Sequence, residues 1–172
     1  HIRFVNDVAR PAIDVVSFLG HAVPNPEGFG ALGGSPGLYF HDKWALLKEG
    51  YTPTGTPAGR LYHVNTISST FKIMFLGTCD LGSIFQSVWP LNGRQAIIHP
   101  IFPGPNNSSK LVVLGAAATA FQKMMQELAL PSRTVADAVA VGNAYINERF
   151  ATNSIDYFQF AVYGNPSVKI QP

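Results

Sequence analysis

The sequence contains a single cysteine, Cys79. An internal disulfide framework and a cysteine-rich metal site are both excluded. Charge is scarce too: charged residues make up 13% of the chain and the net charge is +2. No basic block occurs, so neither nucleic acid nor an anionic membrane surface is an expected partner. Long apolar runs are missing. The longest, "LVVLGAAATAF" from Leu111, falls short of the roughly 20 residues that span a bilayer. No internal repeat is evident. The sequence opens on His1 rather than Met and shows no signal peptide, so a fragment or a processed chain is expected.

What is present suits one domain, 1–172. Hydrophobic residues make up 47%, enough for a sizeable core and too many for extended disorder. Four apolar runs predict strands. "AIDVVSFLG" (12–20) is β-branched and aromatic and ends in glycine, the pattern of a parallel strand buried on both faces. "FKIMFLGTC" (71–79), "RQAIIHPIF" (94–102) and "DYFQFAVYG" (156–164) are the others. Two helices are predicted between the last two. Leu114, Ala118, Phe121, Met125 and Leu128 recur at helical spacing, and Pro131 stops that helix. Thr134 with Asp137 reads as a capping box for the second. Its stripe is Val135, Ala138, Val139, Gly142, Tyr145, Ile146 and Phe150.

Strands alternating with helices predict an α/β layered domain with a mostly parallel sheet. Two glycine- and proline-rich stretches, 23–37 and 49–60, predict loops, with a short hairpin arm in "GLYFHDKWALL" between them. Loops at the carboxyl ends of parallel strands are where such folds place their sites.

Two chemically capable residues fall at those ends. His21 follows "FLG" at the end of the first strand, and Cys79 follows "FLGT" at the end of the second. If the strands are parallel neighbours, about 4.8 Å apart, the imidazole and the thiol leave the same edge of the sheet. An imidazole there can take the thiol proton and raise the thiolate fraction. The segment after Cys79, "DLGSIFQSVW", can offer backbone N–H groups to a thiolate or an oxyanion. A lone cysteine in a strand is otherwise a small packing residue.

"DVVSFLGHA" followed by "IMFLGTCDLGS" resembles the His and Cys motifs of the caspase-like cysteine peptidases of clan CD. The likeness is nearest to CHAT domains and the gingipain-like peptidases. "CDLG" is similar to the Cys-Asp-x-Gly of CHAT domains, and "FAVYGNPSVKI" is similar to the Tyr-Gly-Asp-Pro that closes such domains. The order of glycine-rich loop, small β arm, strand, two helices and last strand is also that of the family.

The resemblance implies a three-layer α/β/α sandwich with a mostly parallel sheet. It also implies a cysteine endopeptidase acting on a protein or peptide without a cofactor or metal. His21 would be the general base or acid and Cys79 the nucleophile. The backbone N–H groups of Ala22 and Cys79 would form the oxyanion hole. Ala22 stands where the family has glycine. If that position needs positive φ, the hole is distorted, and the alternative is an inactive caspase-like scaffold that binds a protein partner. A flavodoxin-like small-molecule domain is a further alternative, for which "GFGALGG" (28–34) lacks the phosphate-cradle context.

Glu27, Asp42 and Asp80 are weak candidates for binding a basic substrate residue; each also reads as a solvated charge or a cap. His99, inside an apolar run, reads as a hydrogen-bonded core histidine; His41 lies in the arm and His63 near a helix or strand start, and the two are not expected to join His21 in a metal site. The family sheet begins with two further strands before the histidine-bearing one, and 1–11 cannot hold them. Those strands would come from an upstream domain or a second chain. The compartment stays open: cytoplasm is the default, and secretion would follow from the gingipain-like likeness.

Overall fold

A computed structural model describes residues 14–23, 37–39, 44–46, 61–63, 70–78, 91–103 and 112–172, with side chains outside the short stretches 21–23, 37–39, 44–46 and 61–63. Among the described residues the main sheet has four strands: β1 (Val15–Leu19), β6 (Ile73–Gly77), β7 (Ala96–Ile101) and β8 (Gln159–Gly164), in the order β1-β6-β7-β8. Between β1 and β6 the chain forms a second sheet in the order β2 (His21–Val23), β3 (Gly37–Tyr39), β4 (Trp44–Leu46) and β5 (Leu61–His63). The predicted hairpin arm is present as the antiparallel pair β3–β4. Of the loops predicted at 23–37 and 49–60, Val23 and Gly37 belong to β2 and β3, and the rest lies outside the described residues.

The first three strands of the main sheet are parallel and the last is antiparallel. The two helices explain the reversal. α1 (Leu114–Leu128) and α2 (Val135–Arg149) both lie between β7 and β8. With two successive helices the chain reverses three times between β7 and β8, so it runs along β8 opposite to β7, whereas a single crossover helix reverses it twice and would have left β8 parallel.

Both described helices cover one face of the sheet. Ile73 and Phe75 of β6, Ala96 and Ile98 of β7 and Phe160 of β8 form one buried cluster with Ala117, Phe121, Met124 and Leu128 of α1 and Val135, Ala138 and Ile146 of α2. Phe121 sits among aromatic rings, 4.8 Å from Phe75 and 5.3 Å from Phe160, centroid to centroid. Alternate residues Val16, Phe18, Met74, Leu76, Ile97 and His99 are also buried but belong to the other face.

Two expectations need correction. The stripe of α1 is not 114-118-121-125-128: Leu114 and Met125 are 40% and 37% exposed, and Ala116, Ala117, Ala120 and Met124 are buried with Phe121 and Leu128. Small alanines let the helix approach the sheet closely, so the inner face is the less hydrophobic of two adjacent stripes. β1 is not buried on both faces either, since Ser17 is exposed and Leu19 is 43% exposed. It occupies an edge of the described sheet, paired on one side only.

The helix boundaries follow local chemistry. Thr134 and Asp137 form the predicted capping box: Thr134 Oγ1 accepts from the Asp137 N–H at 3.2 Å, and Asp137 Oδ2 accepts from the Thr134 N–H at 2.9 Å. Among the described residues no helix is long and apolar enough to cross a membrane.

Candidate functional site at the carboxyl ends of β1 and β6

The strands ahead of His21 and Cys79 are immediate parallel neighbours, as predicted. Their register runs from Val15 opposite Ile73 to Leu19 opposite Gly77. One more bond extends it, from the Gly20 N–H to the Gly77 carbonyl at 3.1 Å. The next residue after Gly77, Thr78, is fully buried.

Gly77 serves close packing rather than a special backbone angle. A Cβ there would displace the end of the Leu19 side chain and crowd Phe121 of α1 at 3.3 Å. Leu19 therefore folds over the end of β6. β1 and β6 are thereby held together at the edge from which the two candidate segments leave.

β6 and β7 part at the same edge. Their pairing runs only from Ile73 opposite Ala96 to Phe75 opposite Ile98. Two residues later Pro100 has no N–H to give. On its other side Pro100 faces Phe160, whose N–H and carbonyl both turn outward to the side chain of Asn143. That pair exchanges no ladder bonds, so proline is tolerated inside a central strand. The Pro100 carbonyl instead accepts from Nδ1 of His99 at 3.2 Å. His99, 3% exposed, is the core histidine expected from its apolar run.

His21 is the first residue of β2, separated from β1 by Gly20 alone. The chain thus passes from the main sheet to the small one at the histidine. Ala22 is the middle residue of β2, paired with Leu38. A strand position is extended backbone, which alanine adopts as readily as any residue. The departure from glycine at this position therefore needs no left-handed conformation.

Cys79 and Asp80 lie outside the described residues, as do Glu27, Asp42 and His41; His63 ends β5. The described residues bring together the strand ends that precede the predicted dyad, not its two side chains. Among them, no group of three or more His, Cys, Asp or Glu could hold a metal ion. No protein-family model, curated protein or solved structure matches this chain.

Proposed function

We propose that this protein is a cysteine endopeptidase of caspase-like architecture, with Cys79 as nucleophile and His21 as its acid–base partner. One observation carries the proposal: β1 and β6 are parallel neighbours with Leu19 opposite Gly77, and each candidate lies two residues beyond a member of that pair. Neighbouring strands are about 4.8 Å apart, so two side chains leaving level positions start within reach of one proton transfer. The small β arm, the two helices and the closing strand follow in the order that the sequence resemblance implies.

The chemistry is thioester acyl transfer. Cys79 Sγ attacks the peptide carbonyl as its proton passes to His21. The N–H groups of Ala22 and Cys79 donate to the oxyanion. His21 returns the proton to the leaving amine as the C–N bond breaks. Water then attacks the thioester, with His21 as base, releasing the acid and the thiol. The fold proposed for this chemistry is the three-layer α/β/α sandwich, of which the described helices supply one layer. Strands from an upstream domain or a second chain would continue the sheet beyond β1.

The test is cleavage of a random-sequence fluorogenic peptide library by the wild type, Cys79→Ala and His21→Ala. The nucleophile variant should lose all cleavage, and the histidine variant about 10²–10⁴-fold. Melting temperatures should change little. Undiminished cleavage by Cys79→Ala would end the proposal. Absence of cleavage by the wild type, together with an unreactive Cys79 thiol, would favour the inactive scaffold.

A further inference from the structure

The proposed chemistry belongs to the carboxyl edge of the parallel strands. The opposite edge carries a cavity of about 400 Å³ that this chemistry does not use. Its floor is Phe71, Gln95 and Val168, all buried. Its rim carries Lys72, Arg94 and Lys169, and no carboxylate lines it. Lys72 on its rim lies five residues before Gly77 along the strand, about 16 Å at 3.3 Å per residue.

Three segments distant in sequence build the walls and are bonded to one another. Asn165 Nδ2 donates to the Gly93 carbonyl at 2.7 Å, and the Asn165 N–H donates to the Gln95 carbonyl at 2.8 Å. Gln95 Nε2 donates to the Phe71 carbonyl at 2.9 Å, while Gln95 Oε1 accepts from the Asn92 N–H at 3.1 Å. The shape is therefore set before any ligand arrives, and its volume lies in the usual range for small-molecule sites.

The three cations are not equivalent. Lys72 is paired with Asp14 at 3.1 Å, so it contributes its aliphatic stem more than its charge. Lys169 also acts on the Asp137 carboxylate. Arg94 is exposed and has no carboxylate partner in the structure among the described residues. A planar guanidinium at the mouth of a cavity whose exposed wall is mostly carbon matches a carboxylate on an apolar body.

We propose that this cavity binds a small organic carboxylate, its apolar body against Val168 and the aliphatic stem of Lys72 and its head group on Arg94, with Lys169 assisting. The site is independent of the proposed peptidase chemistry, so Cys79→Ala should bind the ligand as well as the wild type does.

Isothermal titration of the full chain with 2-naphthoate, and with the neutral 2-naphthalenemethanol as a control, tests this. Saturable one-to-one binding of the acid is expected, about tenfold tighter than the alcohol, as one charge-assisted bond implies. Arg94→Gln should abolish that preference without moving the melting temperature, and Lys169→Gln should weaken it. Any of three results would overturn the proposal: no saturable binding, equal affinity for acid and alcohol, or an unchanged preference in Arg94→Gln. Displacement of naphthoate by equimolar inorganic phosphate would also overturn it, because the apolar contacts would then be irrelevant.

Discussion

Gly164 closes β8 with φ of +98°, a conformation that side chains rarely adopt. A Cβ there would also strike the Gln95 carbonyl oxygen, a backbone atom that cannot rotate away. Gly164→Ala should therefore lower stability by about 2 kcal/mol or more, measured by urea denaturation. A loss under half of that would mean the turn relaxes freely. Asp137 presents a different case. Hydrogen bonds from the Thr134 N–H and hydroxyl hold its carboxyl below the ordinary value. A depressed folded-state pKa contributes stability that is complete above the unfolded-state value and is lost as pH falls through the folded-state value. The stability difference between wild type and Asp137→Ala should thus be full at neutral pH and shrink in acid below the carboxylate range. Melting temperatures across pH would show it, and a pH-independent difference would contradict it.

At the scale of elements, α2 guards the outer edge of β8. Asn143 accepts from the Phe160 N–H at 2.7 Å and donates to the Phe160 carbonyl at 3.0 Å. One amide thus occupies both outward groups of an edge residue, as a neighbouring strand would. One turn later Asn147 accepts from the Tyr157 hydroxyl at 2.8 Å. Exposed edges invite pairing with other chains. Asn143→Leu should cost about 1–3 kcal/mol, the range for leaving buried polar groups unpaired. It should also make the protein associate at high concentration, seen by light scattering. A monomeric variant of wild-type stability would show that the edge needs no guard.

The elements also show what the sequence could and could not disclose. Thr134, Asp137 and Pro131 act within a turn of their own position, so the helix ends were legible. The inner face of α1 was not, because two adjacent stripes share Phe121 and Leu128 and only the sheet decides between Ala117 and Leu114. Antiparallel β8 was not anticipated either. Its direction comes from the number of helices before it, whereas its apolar run resembles the parallel strands. The 43% exposure of Leu19 reflects an edge position in the sheet, which no strand announces in its own residues. The cavity at Phe71 and Arg94 was hidden for a like reason: its walls come from three segments that only the fold brings together.

For the whole molecule, the two proposed sites lie at opposite edges of one sheet. At the amino edge, three bonded segments enclose the cavity beside Phe71, Gln95 and Val168. At the carboxyl edge, β1 and β6 stay paired to Gly77 while β6 and β7 part after Phe75. His21 and Cys79 were legible as candidates because each follows the same short apolar ending, and the parallel pairing of their strands supports treating them together. The direct measurement is the pH dependence of Cys79 alkylation by iodoacetamide, which is unambiguous in a chain with one cysteine. A dyad should give a thiolate that titrates well below the ordinary thiol value of about 8.5, and His21→Gln should return it to that value. Alkylation that follows an ordinary or raised thiol profile, unchanged by His21→Gln, would contradict the account.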